Sequence, residues 1–270
     1  MTPRLIRRAA LYLALGIAAF VSVFPFYWLV VGSTNASNLI IRGKTSPGTH
    51  FLANAATFFA QIDVPRVLFN SLLISVVGTA LTLVVSSLAG YGFEIFRSRV
   101  RERIFAFLLL LLTIPFAAIM VPLFSMVARA HLVNTFTAVI LPTVASIFVI
   151  FYFRQATKAF ASELREAARI DGLKEWQIFL FVYVPVMRST YAAATIIVFM
   201  ANWNNYLWPL IVLQTNDKKT LTLVVSALTS AYVPDYGAAL FAAGLATLPT
   251  LIIFFVLQRQ FVEGMLGSIK

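Results

Sequence analysis

The chain has 270 residues, of which 60% are apolar and only 11% carry a charge. Soluble domains average about 45–50% apolar and about 25% charged residues, so this composition excludes an ordinary soluble protein. Cysteine is absent, which excludes disulfides, thiol catalysis and thiolate metal sites. The two histidines, His50 and His131, lie far apart in the sequence, so no metal site is predicted.

The uncharged stretches of the chain are long enough to cross a membrane. Each has 21 to 28 residues, and about 20 apolar residues suffice for a helix to cross the hydrocarbon core. We therefore predict an all-α membrane protein with six transmembrane helices. These correspond to Leu11–Val31, Leu68–Phe93, Ile104–Ala128, Leu132–Phe153, Ser189–Asn216 and Tyr236–Gln258.

Basic residues are concentrated in alternate segments between these spans. With the N-terminus inside, the inner segments hold fifteen of the 21 Lys and Arg residues and the outer segments hold six. This bias orients membrane proteins, so both termini are predicted to be cytoplasmic, and it accounts for the net charge of +11 without nucleic acid. Arg4, Arg7 and Arg8 resemble the start of a cleaved signal. The apolar core of 21 residues exceeds the roughly 7–15 of such signals, so the first helix is predicted to be retained.

The outer segment Gly32–Val67 separates the first span from the other five and contains the turn residues Pro47, Gly48 and Pro65. Its sequence Gly43-Lys44-Thr45 resembles the end of a phosphate-binding P-loop. Asn38, however, stands where that motif requires its first Gly, so the sequence does not predict an ATP site.

Polar residues of the second and fifth spans are candidates for lining a solute pathway. The second span carries a face of hydroxyls, Ser71, Ser75, Thr79, Thr82 and Ser86, which is also typical of close helix packing. The fifth carries Asn202, Trp203, Asn204, Asn205, Tyr206 and Trp208. This cluster suits a sugar, and it equally suits contacts between helices and an interfacial aromatic belt. The candidate pathway residues are Ser71, Ser75, Thr79, Asn202, Trp203, Asn204 and Asn205.

The inner link Arg154–Arg188 is predicted to fold as helix, glycine turn and helix along the inner membrane face. Apolar residues recur at helical spacing on both sides of Gly172, where a left-handed residue would end the first helix. The two stripes are Phe160, Leu164 and Ala168, and then Trp176, Phe179, Leu180 and Tyr183.

The spacing Glu166-Ala167-Ala168-x3-Gly172-x9-Val182-x-Val184-Pro185 resembles the EAA loop of permease subunits in ATP-binding-cassette (ABC) importers. Val182 and Val184 replace the Ile and Leu of the family pattern, and Ala161-Ser162 stand where the family often has a Pro. The string Glu166–Gly172 is similar to the carbohydrate-uptake branch, whose best-known member is the maltose permease pair. Further similar stretches are Asn70-Ser71-Leu72, Trp203-Asn204, Pro209-Leu210 and the segment Phe261–Lys270.

This resemblance implies the type I ABC importer permease fold, with six spans as in the shorter maltose-type subunit. Residues 1–66 would form an N-terminal helix and outer loop, residues 67–260 the transmembrane core, and residues 261–270 a cytoplasmic tail. The EAA loop, Glu166–Pro185, would contact the ATPase through Glu166, Ala167, Ala168, Asp171, Gly172 and Pro185. The tail would contact the same ATPase through Gly264, Gly267 and Lys270.

The resemblance also implies the partners of the chain. It would lie in the lipid of a bacterial inner membrane with a second, homologous permease, a cytoplasmic ABC ATPase dimer and a periplasmic or extracellular solute-binding protein. The substrate would be a sugar or a sugar-like solute. No catalytic residue, metal or cofactor is expected on this chain, because ATP and Mg²⁺ would bind to the separate ATPase.

Two other classes of protein remain as alternatives. A stand-alone carrier or channel is the first, although the six spans lack the ionisable residues that ion-coupled carriers use. A membrane-embedded enzyme is the second, although no nucleophile–base pair is present in the spans. The sequence leaves a disaccharide, an oligosaccharide, a polyol and glycerol phosphate open as solutes.

Overall fold

The computed structural model describes residues 3–267, with side chains at residues 7, 8 and 10–259. Over these residues the chain forms α-helices, one π-helical segment (Phe179–Tyr183) and one 3₁₀ turn (Asn216–Lys218), without any strand. The helices are α1 (Pro3–Ser33), α2 (Ser37–Ile41), α3 (Phe51–Gln61), α4 (Val64–Ile95), α5 (Arg99–Leu111), α6 (Phe116–Arg129), α7 (Phe136–Val144), α8 (Ile147–Thr157), α9 (Ser162–Ile170), α10 (Glu175–Ile178), α11 (Val184–Val186), α12 (Arg188–Trp203), α13 (Leu207–Val212), α14 (Leu221–Ser230) and α15 (Tyr236–Gly267).

The described residues contain four helical segments that are long and apolar enough to cross a membrane. These are Ala10–Ser33, Val64–Ile95, Phe136–Thr157 and Tyr236–Arg259. Two bent pairs add to them: α5 and α6 meet at 103°, and Glu175–Val186 meets Arg188–Val212 at 80°. Counting each pair as one crossing gives six, so the predicted all-α fold with six spans is confirmed.

Three of the predicted spans are interrupted, which the sequence did not predict. Between α5 and α6 the chain turns before Pro115, which has no N–H group with which to continue a helix. Another break, at Ala145 and Ser146, lies near the middle of the segment Phe136–Thr157. The third separates Trp203, the last residue of α12, from Leu207, the first of α13.

The chain divides into two compact units. The first contains Met1–Val64 and Val224–Leu248, and the second contains Pro65–Leu223 and Pro249–Lys270. The predicted division into residues 1–66, 67–260 and 261–270 stays a prediction. The candidate pathway residues and the EAA loop all lie in the second unit.

In the first unit, buried aromatic rings and one asparagine join α3 to its neighbours. The fully buried Phe58 lies 5.8 Å from Phe241, measured between ring centroids. Asn54 Nδ2 donates hydrogen bonds to the Ser33 carbonyl at 2.7 Å and to the Asn35 carbonyl at 3.0 Å. Because the Ser33 carbonyl belongs to the last residue of α1 and the Asn35 carbonyl lies just beyond it, the side chain of Asn54 satisfies groups that the helix leaves unpaired.

In the second unit, glycines allow α4 to approach its neighbours closely. A Cβ atom at Gly90 would lie 2.7 Å from Phe153 Cβ and 2.8 Å from the backbone nitrogen of Arg154. One at Gly78 would lie 3.0 Å from Asn202 Nδ2. Real Cβ atoms do not tolerate the contacts at Gly90, so α4 and α8 pack at a separation that only glycine permits there.

Candidate functional site

The EAA loop has the helix–glycine–helix form that the sequence predicted. Helix α9 ends at Ile170, and Gly172 adopts a φ of +83°, which confirms the predicted left-handed residue. The backbone N–H groups of Gly172 and Leu173 donate to the carbonyls of Arg169 and Ala168, each at 3.0 Å, and close the turn. Lys174 is the N-cap of α10, and its backbone N–H donates to Gln177 Oε1 at 2.8 Å.

Glu175 fixes the two helices of the loop to each other, a role that the sequence analysis missed. Its Oε1 accepts hydrogen bonds from Arg165 at 2.9 Å and from Arg169 at 2.8 Å, and its Oε2 accepts one from the Tyr91 hydroxyl of α4 at 3.2 Å. Burial raises the pKa of this carboxyl, but hydrogen bonds and charge from Arg165 and Arg169 outweigh it, so the pKa of Glu175 is lowered. Glu175 therefore stays ionised and holds the turn closed.

An aromatic cluster seats the EAA loop on the helices of the second unit. The buried residues of this cluster are Tyr91, Phe160, Phe179, Tyr183 and Met187. The hydroxyls of Tyr183 and Thr157 lie 2.7 Å apart and form a buried hydrogen bond. Since Thr157 is the last residue of α8, the cluster links the loop directly to a membrane helix.

The predicted apolar stripes of the link are only partly buried. Phe160, Ala168, Phe179 and Tyr183 are buried, whereas Leu164, Trp176 and Leu180 are exposed by 42%, 58% and 48%. The second stripe includes the π-helical segment Phe179–Tyr183, whose turns are wider than those of the α-helix on which the predicted spacing rests. The rings of Phe179 and Tyr183 stack at a centroid distance of 5.3 Å.

The outer side of α9 is unoccupied in the isolated chain. Glu166, Ala167 and Asp171 are exposed, and Ile170 is 87% exposed although it is apolar. Among the described residues, no cation lies within ion-pair distance of Glu166. An exposed carboxylate, a small residue and an isoleucine on one short helix suit a partner protein with a groove. Pro185 is also exposed, at the other end of the loop.

A second candidate site is a cavity of about 360 Å³ in the second unit, called here the membrane cavity. It lies beside the break between α7 and α8. Non-helical backbone within a membrane is tolerated where protein buries it or where it lines a water-filled cavity. The lining residues are Thr82, Phe116, Pro142, Thr143, Ser146, Phe148, Val149, Ile197, Val198, Ala201, Asn202, Asn205 and Trp208.

The structure divides the predicted cluster of the fifth span. Asn202 and Asn205 line the membrane cavity, and Asn202 Nδ2 lies 3.5 Å from the Thr79 hydroxyl. Trp203 is buried and stacks on Phe199 with ring centroids 5.7 Å apart, and Asn204 Nδ2 donates to the Met200 carbonyl of its own helix at 2.9 Å. Neither of these two residues lines the cavity.

The hydroxyl face of the second span is buried against other helices. Ser71 Oγ accepts a hydrogen bond from the Leu221 N–H at 2.8 Å, and Thr82 Oγ1 donates to the Thr143 carbonyl at 3.3 Å. Ser75 is 1% exposed. These contacts are those of packing residues, and only Thr82 of this face lines the membrane cavity. A pathway role for Ser71, Ser75 and Thr79 stays a prediction.

Other residues of the membrane cavity were not recognised in the sequence. Thr143 and Ser146 lie at the break between α7 and α8. The sequence did not reveal this break, because the apolar run continues through it. Trp208, which the sequence analysis included in the cluster of the fifth span, is 1% exposed, and its Nε1 donates to the Ala138 carbonyl at 2.9 Å, so its ring is held in a fixed position.

The last helix, α15, continues through Gly264 to Gly267, so the predicted tail is helical over these residues. Lys270, the third predicted tail contact, lies outside the described residues. A contact of this segment with an ATPase stays a prediction.

Comparison with known proteins agrees with the fold. The family described as binding-protein-dependent transport system inner membrane component matches residues 82–267. The lactose transport system permease protein LacG of Rhizobium radiobacter is 64% identical over 259 residues, which cover 96% of this chain and 95% of that protein. The arabinooligosaccharides transport system permease protein AraQ of Bacillus subtilis (strain 168) is 32% identical, with coverages of 97% and 96%.

A more distant relative and a solved structure extend this similarity. The sn-glycerol-3-phosphate transport system permease protein UgpE of Agrobacterium fabrum is 30% identical, with 99% of each chain covered. A chain from the crystal structure of a bacterial ABC transporter involved in the import of the acidic polysaccharide alginate superposes with a TM-score of 0.81. That match covers 97% of this chain and 99% of the other at 19% identity, and it shows a shared fold. The chain therefore belongs to the binding-protein-dependent transport system inner membrane components and is a permease subunit of an ABC importer.

Proposed function

We propose that this permease subunit carries an uncharged disaccharide or short oligosaccharide of the lactose type, and that the membrane cavity contacts it. The cavity is the observation that carries the proposal. Its polar groups are the amides of Asn202 and Asn205 and the hydroxyls of Thr82, Thr143 and Ser146. Amides and hydroxyls both donate and accept hydrogen bonds, as sugar hydroxyls require.

The rest of the cavity lining suits the apolar faces of a sugar ring. Trp208 and Phe116 lie with their ring centroids 6.0 Å apart at 88°, so two aromatic walls meet at a corner. Aromatic side chains combine a large apolar surface with a fixed shape. The described lining has no charged residue to pair with a phosphate, so an uncharged sugar fits it better than a glycerol phosphate. The 64% identity with the lactose permease supports the same choice.

The exposed side of the EAA loop supports an ATPase as the partner that we propose for it. We place this loop and both termini in the cytoplasm, as the distribution of Lys and Arg predicts. One ABC ATPase of a dimer would receive α9 in a groove, with Glu166 paired to a basic residue. That ATPase would bind ATP and Mg²⁺, and this chain neither. A second permease would complete the membrane part, and an external solute-binding protein would deliver the sugar. The helical end with Gly264 and Gly267, followed by Lys270, would reach the ATPase dimer.

The mechanism we propose couples closure of the ATPase to movement of the membrane helices. Glu175 and the Tyr91–Tyr183 cluster make the loop rigid, so force on α9 passes to α4 and α8 through buried contacts. Two packed arrangements of the permease pair would open the cavity to opposite sides in turn, as in other hinge-type switches.

Uptake of radiolabelled lactose into proteoliposomes that contain the complete importer tests this function. Asn202→Ala and Asn205→Ala each remove hydrogen-bonding groups from the cavity, and a net hydrogen bond is worth about 0.5–1.5 kcal/mol. We expect uptake at low lactose to fall about two- to tenfold, with complex assembly unchanged. Asn216→Ala, outside the cavity, serves as the control, and Asn204→Ala should have a smaller effect than either cavity variant.

The outcomes separate the possible readings of the cluster. Equal losses in the Asn202, Asn204 and Asn205 variants would extend the pathway to the whole cluster, as the sequence predicted. Wild-type uptake in both cavity variants would assign the membrane cavity to packing and remove the support for direct sugar contact. Uptake that continues without ATP would instead favour a carrier that is not coupled to an ATPase.

A further inference from the structure

A second cavity of the second unit, called here the basic cavity, has no role in the function proposed above. It has a volume of about 540 Å³ and is formed by the link between α4 and α5, the start of α5 and the end of α8. Its lining residues are Arg97, Ser98, Arg99, Glu102, Arg103, Arg154 and Lys158. Five of these seven are cations and one is an acid.

Two of the cations form ion pairs with carboxylates. Arg154, of which 7% is exposed, donates from Nε to Glu94 at 3.2 Å and from Nη2 to Glu102 at 2.5 Å. Its guanidinium also lies 4.0 Å from the centroid of the Phe105 ring. Arg97 pairs with the other oxygen of Glu94. These contacts fix the floor of the cavity and neutralise both acids.

The other three cations have no such partner. Arg99, Arg103 and Lys158 are exposed, and no described carboxylate lies within ion-pair distance of any of them. Three uncompensated positive charges around one concave surface repel one another, which an anion in the cavity would relieve. The shape and charge of the basic cavity therefore fit a phosphate group with its oxygens directed toward these side chains.

An apolar surface continues from the basic cavity along α5. Val100, Ile104 and Phe107 are exposed by 64%, 48% and 60% and recur at helical spacing beside Arg99 and Arg103. A soluble anion would not contact this apolar surface. A phospholipid would contact it, because its acyl chains would lie along α5 while its headgroup occupies the cavity. Clusters of basic residues beside membrane helices attract anionic lipids at about 1 kcal/mol per Lys or Arg.

We propose that the basic cavity binds the phosphate headgroup of an anionic phospholipid through Arg99, Arg103 and Lys158. Arg154 is a positioning residue in this site, since its guanidinium is used by Glu94 and Glu102. Lys158 directly follows Thr157, the last residue of α8, and the hydroxyl of Thr157 forms a hydrogen bond with that of Tyr183 in the EAA loop. A bound lipid would therefore lie next to the seat of that loop.

Native mass spectrometry of the full-length chain in detergent tests this site, with phosphatidylglycerol and phosphatidylcholine as probes. The triple variant Arg99→Gln, Arg103→Gln and Lys158→Gln removes the three free cations. At about 1 kcal/mol each, we expect its phosphatidylglycerol affinity to fall on the order of 100-fold. The control triple variant Arg42→Gln, Lys44→Gln and Arg129→Gln removes the same charge elsewhere and should bind like the wild type.

The remaining arms separate a lipid site from its alternatives. Lys158→Gln alone should weaken the binding of phosphatidylglycerol about fivefold. This single variant replaces the triple variant as the test if the triple variant does not fold. Equal binding of phosphatidylcholine and phosphatidylglycerol to the wild type would overturn the proposal, as would equal losses in the two triple variants. Displacement of phosphatidylglycerol by millimolar inorganic phosphate would show a soluble-anion site instead and would also overturn it.

Discussion

Gly172 determines the path of the EAA loop through its backbone conformation alone. Its φ is +83°, and no heavy atom lies within 4 Å of the place where a Cβ would be. A side chain would therefore meet no neighbour, and the cost of adding one is confined to the left-handed backbone. That cost is roughly 1 kcal/mol or more, and it is larger for a β-branched residue.

Gly172→Val should give a permease that inserts normally but loses most ATP-driven uptake, because α9 and α10 no longer meet at the angle that the ATPase requires. Gly43→Val is the matched control, since Gly43 also has a positive φ, +74°, and open space around it. Uptake and ATPase activity of the reconstituted importer provide the measurement. Equal losses in both variants would point to general destabilisation rather than to the loop.

Glu166→Lys should weaken binding of the ATPase while leaving the loop folded. Glu166 is exposed and has no described partner, in contrast to Glu175, so its replacement removes no contact within the chain. A charged hydrogen bond is worth roughly 1.5–3 kcal/mol, and reversal of the charge adds repulsion. Co-purification of the ATPase in mild detergent measures the effect. A basic-to-acidic change in the ATPase groove should restore uptake, and wild-type uptake in the single variant would contradict this role.

The breaks within the membrane helices show how far the sequence determines the elements. Length and hydropathy predicted the six crossings, because the bilayer sets both. They did not predict the breaks at Pro115 and at Ala145–Ser146, because an apolar run reads the same whether its helix is continuous or bent. The Gly172 turn was predictable from a single residue. The role of Glu175 was not, since it depends on Tyr91, which is 84 residues away in the chain.

The packing of α4, α5 and α8 depends on one buried ionic group. Arg154→Ala would leave Glu94, whose side chain is 6% exposed, with the peripheral Arg97 as its one ion-pair partner among the described residues. Breaking a buried pair on one side costs about 3–5 kcal/mol. We expect a clear loss of thermal stability in detergent, measured by the temperature at which the monomer is lost. The double variant Glu94→Gln with Arg154→Met should recover part of it, because no unpaired charge remains. A double variant as unstable as the single one would contradict this account.

At the scale of the whole molecule, the distribution of Lys and Arg predicts which surfaces face the cytoplasm. The absence of native cysteine allows single-cysteine labelling without background. Ile170→Cys places a thiol on the 87% exposed side chain of the EAA loop, and Lys218→Cys places one in the segment before α14. A membrane-impermeant maleimide should label position 218 and not position 170 in intact cells. Permeabilised cells, in which both should react, are the control, and the reverse pattern would invert the topology.

The uncharged lining of the membrane cavity bears on the electrical balance of the cell. Its described lining has hydrogen-bonding dipoles from two amides and three hydroxyls but no full charge. A sugar exchanges its hydration for such dipoles at little cost, whereas a proton or a metal ion loses far more than they return. If the sugar crosses through this cavity, as proposed, the barrier to ions would persist while it passes. Each transport cycle would then be electroneutral at this subunit, and sugar uptake would not dissipate the membrane potential.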